Sequence, residues 1–160
     1  MSKVYFYEVK IRGNVRIGKN VSIGFWTEIN GNRSSIIIGD GCDIGSFCSI
    51  NVADSHKKCI GLMDKHEYAP ITLEHSVFVG SHCMIKGGAH VGHHSVVAAG
   101  TVVDGVNIPP YSLVSGNPMA VKERYYRPKN AEWGGYTESS VNPSTGVSPL
   151  VRVLGPDQEI

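Results

Sequence analysis

The stretch Leu73-Glu74-His75-Ser76-Val77-Phe78-Val79-Gly80-Ser81-His82-Cys83-Met84-Ile85-Lys86-Gly87-Gly88-Ala89-His90-Val91-Gly92 carries an aliphatic residue at 73, 79, 85 and 91. The register continues to Val97 and Val103. Upstream it returns at Ile38, Ile44 and Ile50, and again at Ile17, Ile23 and Ile29. An amphipathic helix needs a period near 3.6 and a half-buried strand a period of 2. A period of six fits neither. It fits a coiled β-solenoid, in which short strands separated by turns stack equal rows of side chains.

Three hexads make one triangular coil. The position four after each anchor is also small: Val21, Thr27, Cys42, Cys48, Val77, Cys83, Ala89, Ser95 and Thr101. A bulky side chain would clash at such a corner, and glycine, asparagine and aspartate supply the turn conformations. The register slips twice. Three extra residues between Ile29 and Ile38 read as a corner bulge. Seventeen extra residues before Leu73, about 55–71, read as a looped-out segment. Loops on a rigid scaffold are where chemistry concentrates. The expected architecture is all-β, a solenoid of about 4–6 coils over residues 1–114.

Composition agrees with one domain of 160 residues. A net charge of +1 creates no strong field for nucleic acid or anionic membrane. No apolar run of membrane length and no signal-peptide pattern is present, so a cytoplasmic location is expected. Three of the four cysteines take the small inward position and read as reduced core fillers. Cys59, in the loop, is the one expected to meet solvent. Phe25, Trp26 and Phe47 follow corners and should face outward, as interface packing does. Pro109-Pro110 should end the solenoid. Residues 118–126 read as a short helix. Beyond it the tail to 160, with Trp133, Tyr136 and Leu150 to Leu154, should pack on the solenoid or a neighbour.

Four motifs follow one another: Val77-Phe78-Val79-Gly80, Ile85-Lys86-Gly87-Gly88-Ala89-His90-Val91-Gly92, Ala98-Ala99-Gly100-Thr101-Val102-Val103, and Ile108-Pro109-Pro110-Tyr111 through Gly116-Asn117-Pro118. Over about residues 15–125 the chain resembles the hexapeptide-repeat acyltransferases, especially their sugar O-acetyltransferase and xenobiotic acetyltransferase branch. The resemblance implies a left-handed parallel β-helix and a cytoplasmic homotrimer with acetyl-CoA bound between neighbouring solenoids. It implies a sugar or sugar-nucleotide acceptor under the loop, and no metal. It places His56, in Ala53-Asp54-Ser55-His56, as general base. Ser81, Ala98, Ala99 and Thr101 then line the coenzyme, and Lys122 and Arg124 stand among the basic residues that meet its phosphates. The chain departs from many relatives in Phe78, where they carry tryptophan, and in Asp104-Gly105, where they carry Thr-Lys.

Histidine suits the role because its reference pKa, about 6.5, lies near working pH, and a positioned base contributes about 10² to 10⁴ in rate. Asp54 would orient His56, bind an acceptor hydroxyl, or simply cap its own turn. His66 lies in the loop, within reach of an acceptor. His75, His82, His90, His93 and His94 hold repeat positions, with His82 beside the coenzyme groove. Lys57, Lys58 and Lys65 make the loop basic, which suits solvent or a phosphate-bearing acceptor. Two alternatives remain. One is a scaffold that has lost its site. The other is a zinc enzyme like the gamma-class carbonic anhydrases, whose ligand pair is spaced five apart, whereas no two histidines here are.

Overall fold

The computed structural model describes residues 5–6, 8–128 and 151–153. Because each coil repeats the same inward positions, three aliphatic rows run the length of a left-handed parallel β-helix of about 5 turns. Side one stacks Ile23, Ile44, Val79, Val97 and Val114. Side two stacks Ile11, Ile29, Ile50, Ile85 and Val103, and side three Ile17, Ile38, Leu73, Val91 and Ile108. All are at most 1% exposed except Ile11. The small positions lie between the rows, with Val21, Thr27, Cys42, Cys48, Val77, Cys83, Ala89, Ser95 and Thr101 all buried.

Side one is a parallel sheet of Tyr5–Phe6, Ser22–Ile23, Asp43–Ile44, Phe78–Val79, Val96–Val97 and Leu113–Ser115. Sides two and three form one continuous sheet, since Lys10–Ile17 and Glu28–Ile38 run unbroken around their shared corner. The three extra residues after Ile29 are absorbed there, and the register between these two strands shifts between Gly13 and Val15. The close stacking of coils needs glycine at Gly80, where a Cβ would lie 2.5 Å from the backbone nitrogen of Ala99.

Two corners do not follow the turn chemistry expected of glycine, asparagine and aspartate. Trp26, Phe47 and His82 have positive φ at one corner, and His94 and Tyr111 at another. A left-handed conformation costs a non-glycine residue roughly 1–2 kcal/mol. Ring stacking one coil away offsets part of it: Phe47 lies on His82 at 5.0 Å, and His94 on Tyr111 at 5.1 Å.

The C-terminal end corrects two expectations. Pro109-Pro110 does not end the solenoid. It forms a corner, where no ladder N–H is needed, and Leu113–Ser115 then adds another strand to side one. Residues 118–126 do not form a helix. Ala120–Lys122 is a strand, antiparallel to Leu113–Ser115, followed by turns. A helix of nine residues is marginal by itself, while the open edge of Leu113–Ser115 offers backbone partners at once. The strand Val151–Val153 pairs antiparallel with Lys10–Ile17. Trp133 and Tyr136 lie outside the described residues. No helix among the described residues is long and apolar enough to cross a membrane.

Replacing Ile85, fully buried mid-row, by alanine should cost about 2–5 kcal/mol through lost burial and a cavity. Ile60, exposed in the loop, should tolerate alanine within about 0.5 kcal/mol. Urea unfolding of both variants checks the contrast.

Candidate active site

The looped-out segment is an ordered ribbon. Ala53–Asp54 pairs antiparallel with Glu67–Tyr68, and the four-residue helix His56–Cys59 begins the excursion between them. Asp54 starts a tight turn, its Oδ1 accepting the backbone N–H of His56 at 3.1 Å. The same oxygen lies 2.6 Å from His56 Nδ1. The bond from the His56 ring, then that from its backbone, holds the Asp54 carboxyl below its ordinary range. An ionised carboxylate only accepts, so Nδ1 carries the proton and Nε2 presents its lone pair. The imidazole is exposed, and it borders a cavity of about 450 Å³ between the ribbon and side two.

Asn51, Ala53, Asp54, Lys57, Glu67, Ala69, Met84, Lys86 and Gly87 complete much of the wall. Lys57 pairs with Glu67 and Lys86 with Asp104, each at 3.0 Å. Asp104, a departure from the related pattern, thus fixes a lysine of the cavity wall, and Lys86 in turn helps keep Asp54 ionised. His66 does not line this cavity. Its Nδ1 lies 3.3 Å from the Tyr68 hydroxyl, and Tyr68 faces Arg33.

Ser81, Ala98 and Ala99 occupy the corner between sides one and two, in adjacent coils. Ala99 is exposed and the other two half-buried, and they make a narrow strip of small side chains. Thr101 closes that corner from inside: it is fully buried and its hydroxyl accepts the Gly116 N–H at 3.1 Å. Its backbone is also engaged, its N–H donating to the Ala98 carbonyl and its carbonyl accepting from Met84. Lys122 ends the strand Ala120–Lys122 with its Nζ 5.6 Å from the Tyr125 ring, and Arg124 is exposed in the turn after it.

The family model described as the hexapeptide repeat of succinyl-transferase matches residues 14–51 and 70–105, the two blocks on either side of the ribbon. Both blocks carry the hexapeptide repeat. The chain is 31% identical over 132 residues to the galactoside O-acetyltransferase of Escherichia coli (strain K12), covering 80% of this chain and 64% of that enzyme. The chain therefore spans less than two thirds of that relative. It is also 28% identical over 117 residues to the mitochondrial gamma carbonic anhydrase 1 of Arabidopsis thaliana, covering 66% of this chain and 42% of the relative. Among solved structures it resembles a hexapeptide-repeat acetyltransferase from Vibrio cholerae O1 biovar eltor, complexed with acetyl coenzyme A. The two are 27% identical with a TM-score of 0.50, covering 72% of this chain and 69% of the other.

Three of the four cysteines are core fillers. Cys42, Cys48 and Cys83 are buried, and Cys59 is exposed. Burial pushes the Cys42 thiol up to about 12. The Cys48 thiol donates to the Gly80 carbonyl, leaving no room for an acyl group. The repeat-position histidines split into three groups. His82 stacks on Phe47, and His90 Nε2 pairs with Glu74 at 2.8 Å. His75, His93 and His94 cluster at the corner between sides three and one, on the side of Tyr111. Linear spacing did not bring out this cluster, although His75 and His93 lie one coil apart.

Burial, then the neighbouring charges of His75 and His93, push His94 down from 6.5 to about 4. The folded chain keeps this imidazole neutral where the unfolded chain takes a proton, so its contribution is fully present above pH 6.5 and is lost as pH falls toward 4. The rings of His75, His93 and Tyr111 pack against it. Thermal melts across this window should show the folded protein weakening, and a His94→Asn variant should weaken less.

Proposed function

We propose that this chain is an acetyl-CoA-dependent acyltransferase that acetylates a hydroxyl or amine of a sugar or sugar-like acceptor, with His56 as general base. The observation that carries this is the Asp54–His56 pair, bonded at 2.6 Å and opening onto a cavity of about 450 Å³ at the root of the ribbon. The related E. coli galactoside O-acetyltransferase and the V. cholerae acetyltransferase complexed with acetyl coenzyme A support the reaction class.

Acetyl-CoA supplies an acyl carbon already activated as a thioester. The strip of Ser81, Ala98 and Ala99 suits its narrow, extended arm, and Lys122 and Arg124 suit its phosphates. The acceptor, seated in the cavity against Lys86, Asn51 and Glu67, hydrogen-bonds through its hydroxyl or amine to His56 Nε2. As the acceptor attacks, its proton passes to Nε2. Asp54 holds the ring in one tautomer and stabilises the imidazolium that results. The proton then leaves Nε2 for the departing sulfur, which restores the base. Confinement of both substrates supplies much of the remaining rate.

The strip and the base stand at opposite edges of side two. Five positions separate Ser81 from Lys86, at most roughly 16 Å at about 3.3 Å per residue. A thioester on the strip of one chain therefore meets the His56 of a second chain more readily than its own. This supports a site between chains, in a homotrimer. The exposed Trp26, Phe47, Ile60, Leu62 and Phe78 supply apolar surface for such an assembly. The zinc enzyme reading gains little by comparison, since no histidine pair here has the five-residue spacing.

His56→Ala should lower kcat by about 10² to 10⁴ while leaving acetyl-CoA affinity and assembly intact. Asp54→Asn should lower kcat less. Thioester release against a panel of sugar hydroxyls and amines measures both. Near-normal turnover of His56→Ala would remove the base assignment, and failure of the wild type to bind acetyl-CoA in calorimetry would leave a scaffold.

A further inference from the structure

His75, His93 and His94 each offer one ring nitrogen, and these three atoms lie within 4.8 Å of one another at the corner between sides three and one. They share no residue with the cavity at His56. The coil fixes the arrangement. His75 and His93 occupy the same position in successive coils, and their rings stack at 4.8 Å with an interplanar angle of 8°. His94 is the next residue, and its left-handed φ of 56° turns its ring across the edge of both. His93 Nδ1 and His94 Nδ1 are 3.0 Å apart.

We propose that His75, His93 and His94 form a three-imidazole site for a divalent late transition metal, with zinc as the best fit. Tetrahedral zinc with Zn–N distances of 2.0–2.1 Å separates its nitrogens by about 3.3 Å, close to the His93–His94 spacing. His75 and His93 lie parallel, so their lone pairs do not converge as placed. A turn of one ring about χ2, a broad torsion, brings the third nitrogen in. Imidazole suits zinc, nickel and copper better than magnesium or calcium, which prefer oxygen.

The surroundings fit a cation. Glu74 lies beside the cluster, its Oε2 accepting the His93 backbone N–H at 2.8 Å and its Oε1 facing His90 at 2.8 Å. That carboxylate fixes the backbone that carries two of the ligands and adds negative charge next to them. The Tyr111 ring covers His94 from the following coil. Burial also favours the neutral form of His94, the form that ligates. A bound ion would add a further tie between two coils already joined by backbone ladders, aliphatic rows and Glu74. Its role is structural and separate from acyl transfer.

The experiment is calorimetric titration of chelator-stripped full-length protein with ZnCl₂, together with the visible spectrum after adding Co²⁺. The proposal expects about one metal per chain, the intense bands of four-coordinate cobalt, and a melting temperature that rises with zinc. His93→Phe, which keeps the ring stack, should lower affinity by about 100-fold or more. His56→Ala should leave zinc affinity unchanged. Should His93→Phe fail to fold, His94→Asn serves equally, because asparagine tolerates the left-handed φ. The proposal is overturned if the wild type takes up no zinc. It is equally overturned if the His93 and His94 variants bind as tightly as wild type, or if binding disappears with His56.

Discussion

The structure depends on one contact repeated: a branched aliphatic side chain resting on its equivalent in the next coil. Side two shows it plainly, as Ile29, Ile50, Ile85 and Val103 stack with no measurable exposure. Each such side chain contributes on the order of 1.5–3 kcal/mol by leaving water. The contact needs both a constant coil and tight corners. The small buried residues such as Cys83 and Thr101, and glycines such as Gly80, keep those corners tight. Where extra residues enter, they are pushed outward and the stack continues. The seventeen-residue excursion is the largest case, and its root is where the protein places Asp54 against His56.

This division of labour explains why the candidate site is precise although it sits on an insertion. The ribbon is pinned by its own strand pairing at Ala53–Tyr68 and Asp54–Glu67 and by the ion pair Lys57–Glu67. The opposite wall, Met84 to Gly87, belongs to the rigid stack. An imidazole held by a carboxylate, on a short paired ribbon against an unyielding face, has little positional freedom. The strip of Ser81, Ala98 and Ala99 needs no special fold either, because it is an ordinary corner with small side chains.

Much of this architecture could be read from residues alone, because inward positions recur at a spacing no other element produces. The Asp54–His56 pair bordering the cavity was also legible, as both residues stand where the repeat breaks. What sequence hid depends on partners far along the chain. His66 was expected near the acceptor. Strand alternation instead turns Glu67 toward the cavity, while His66 and Tyr68 associate with each other and with Arg33. The helix expected after Pro118 lost to an open strand edge whose position only the finished stack reveals. The imidazole cluster is invisible to linear spacing, since His75 and His93 meet only once the coil is closed. The aromatic residues at positive φ contradict local turn preference for the same reason, their stacking partners being one coil away.

A parallel solenoid carries an inherent hazard, because its last coil presents unpaired backbone that another molecule could extend into a filament. Ala120–Lys122 meets this hazard on side one. By running antiparallel to Leu113–Ser115 it satisfies that edge and presents the wrong polarity for a further parallel coil. It also bears Lys122 on its outer rim, and a charge there resists docking of a second solenoid end. The segment that closes the stack thus acts as a stop to growth, and it keeps the coil number a property of a single chain.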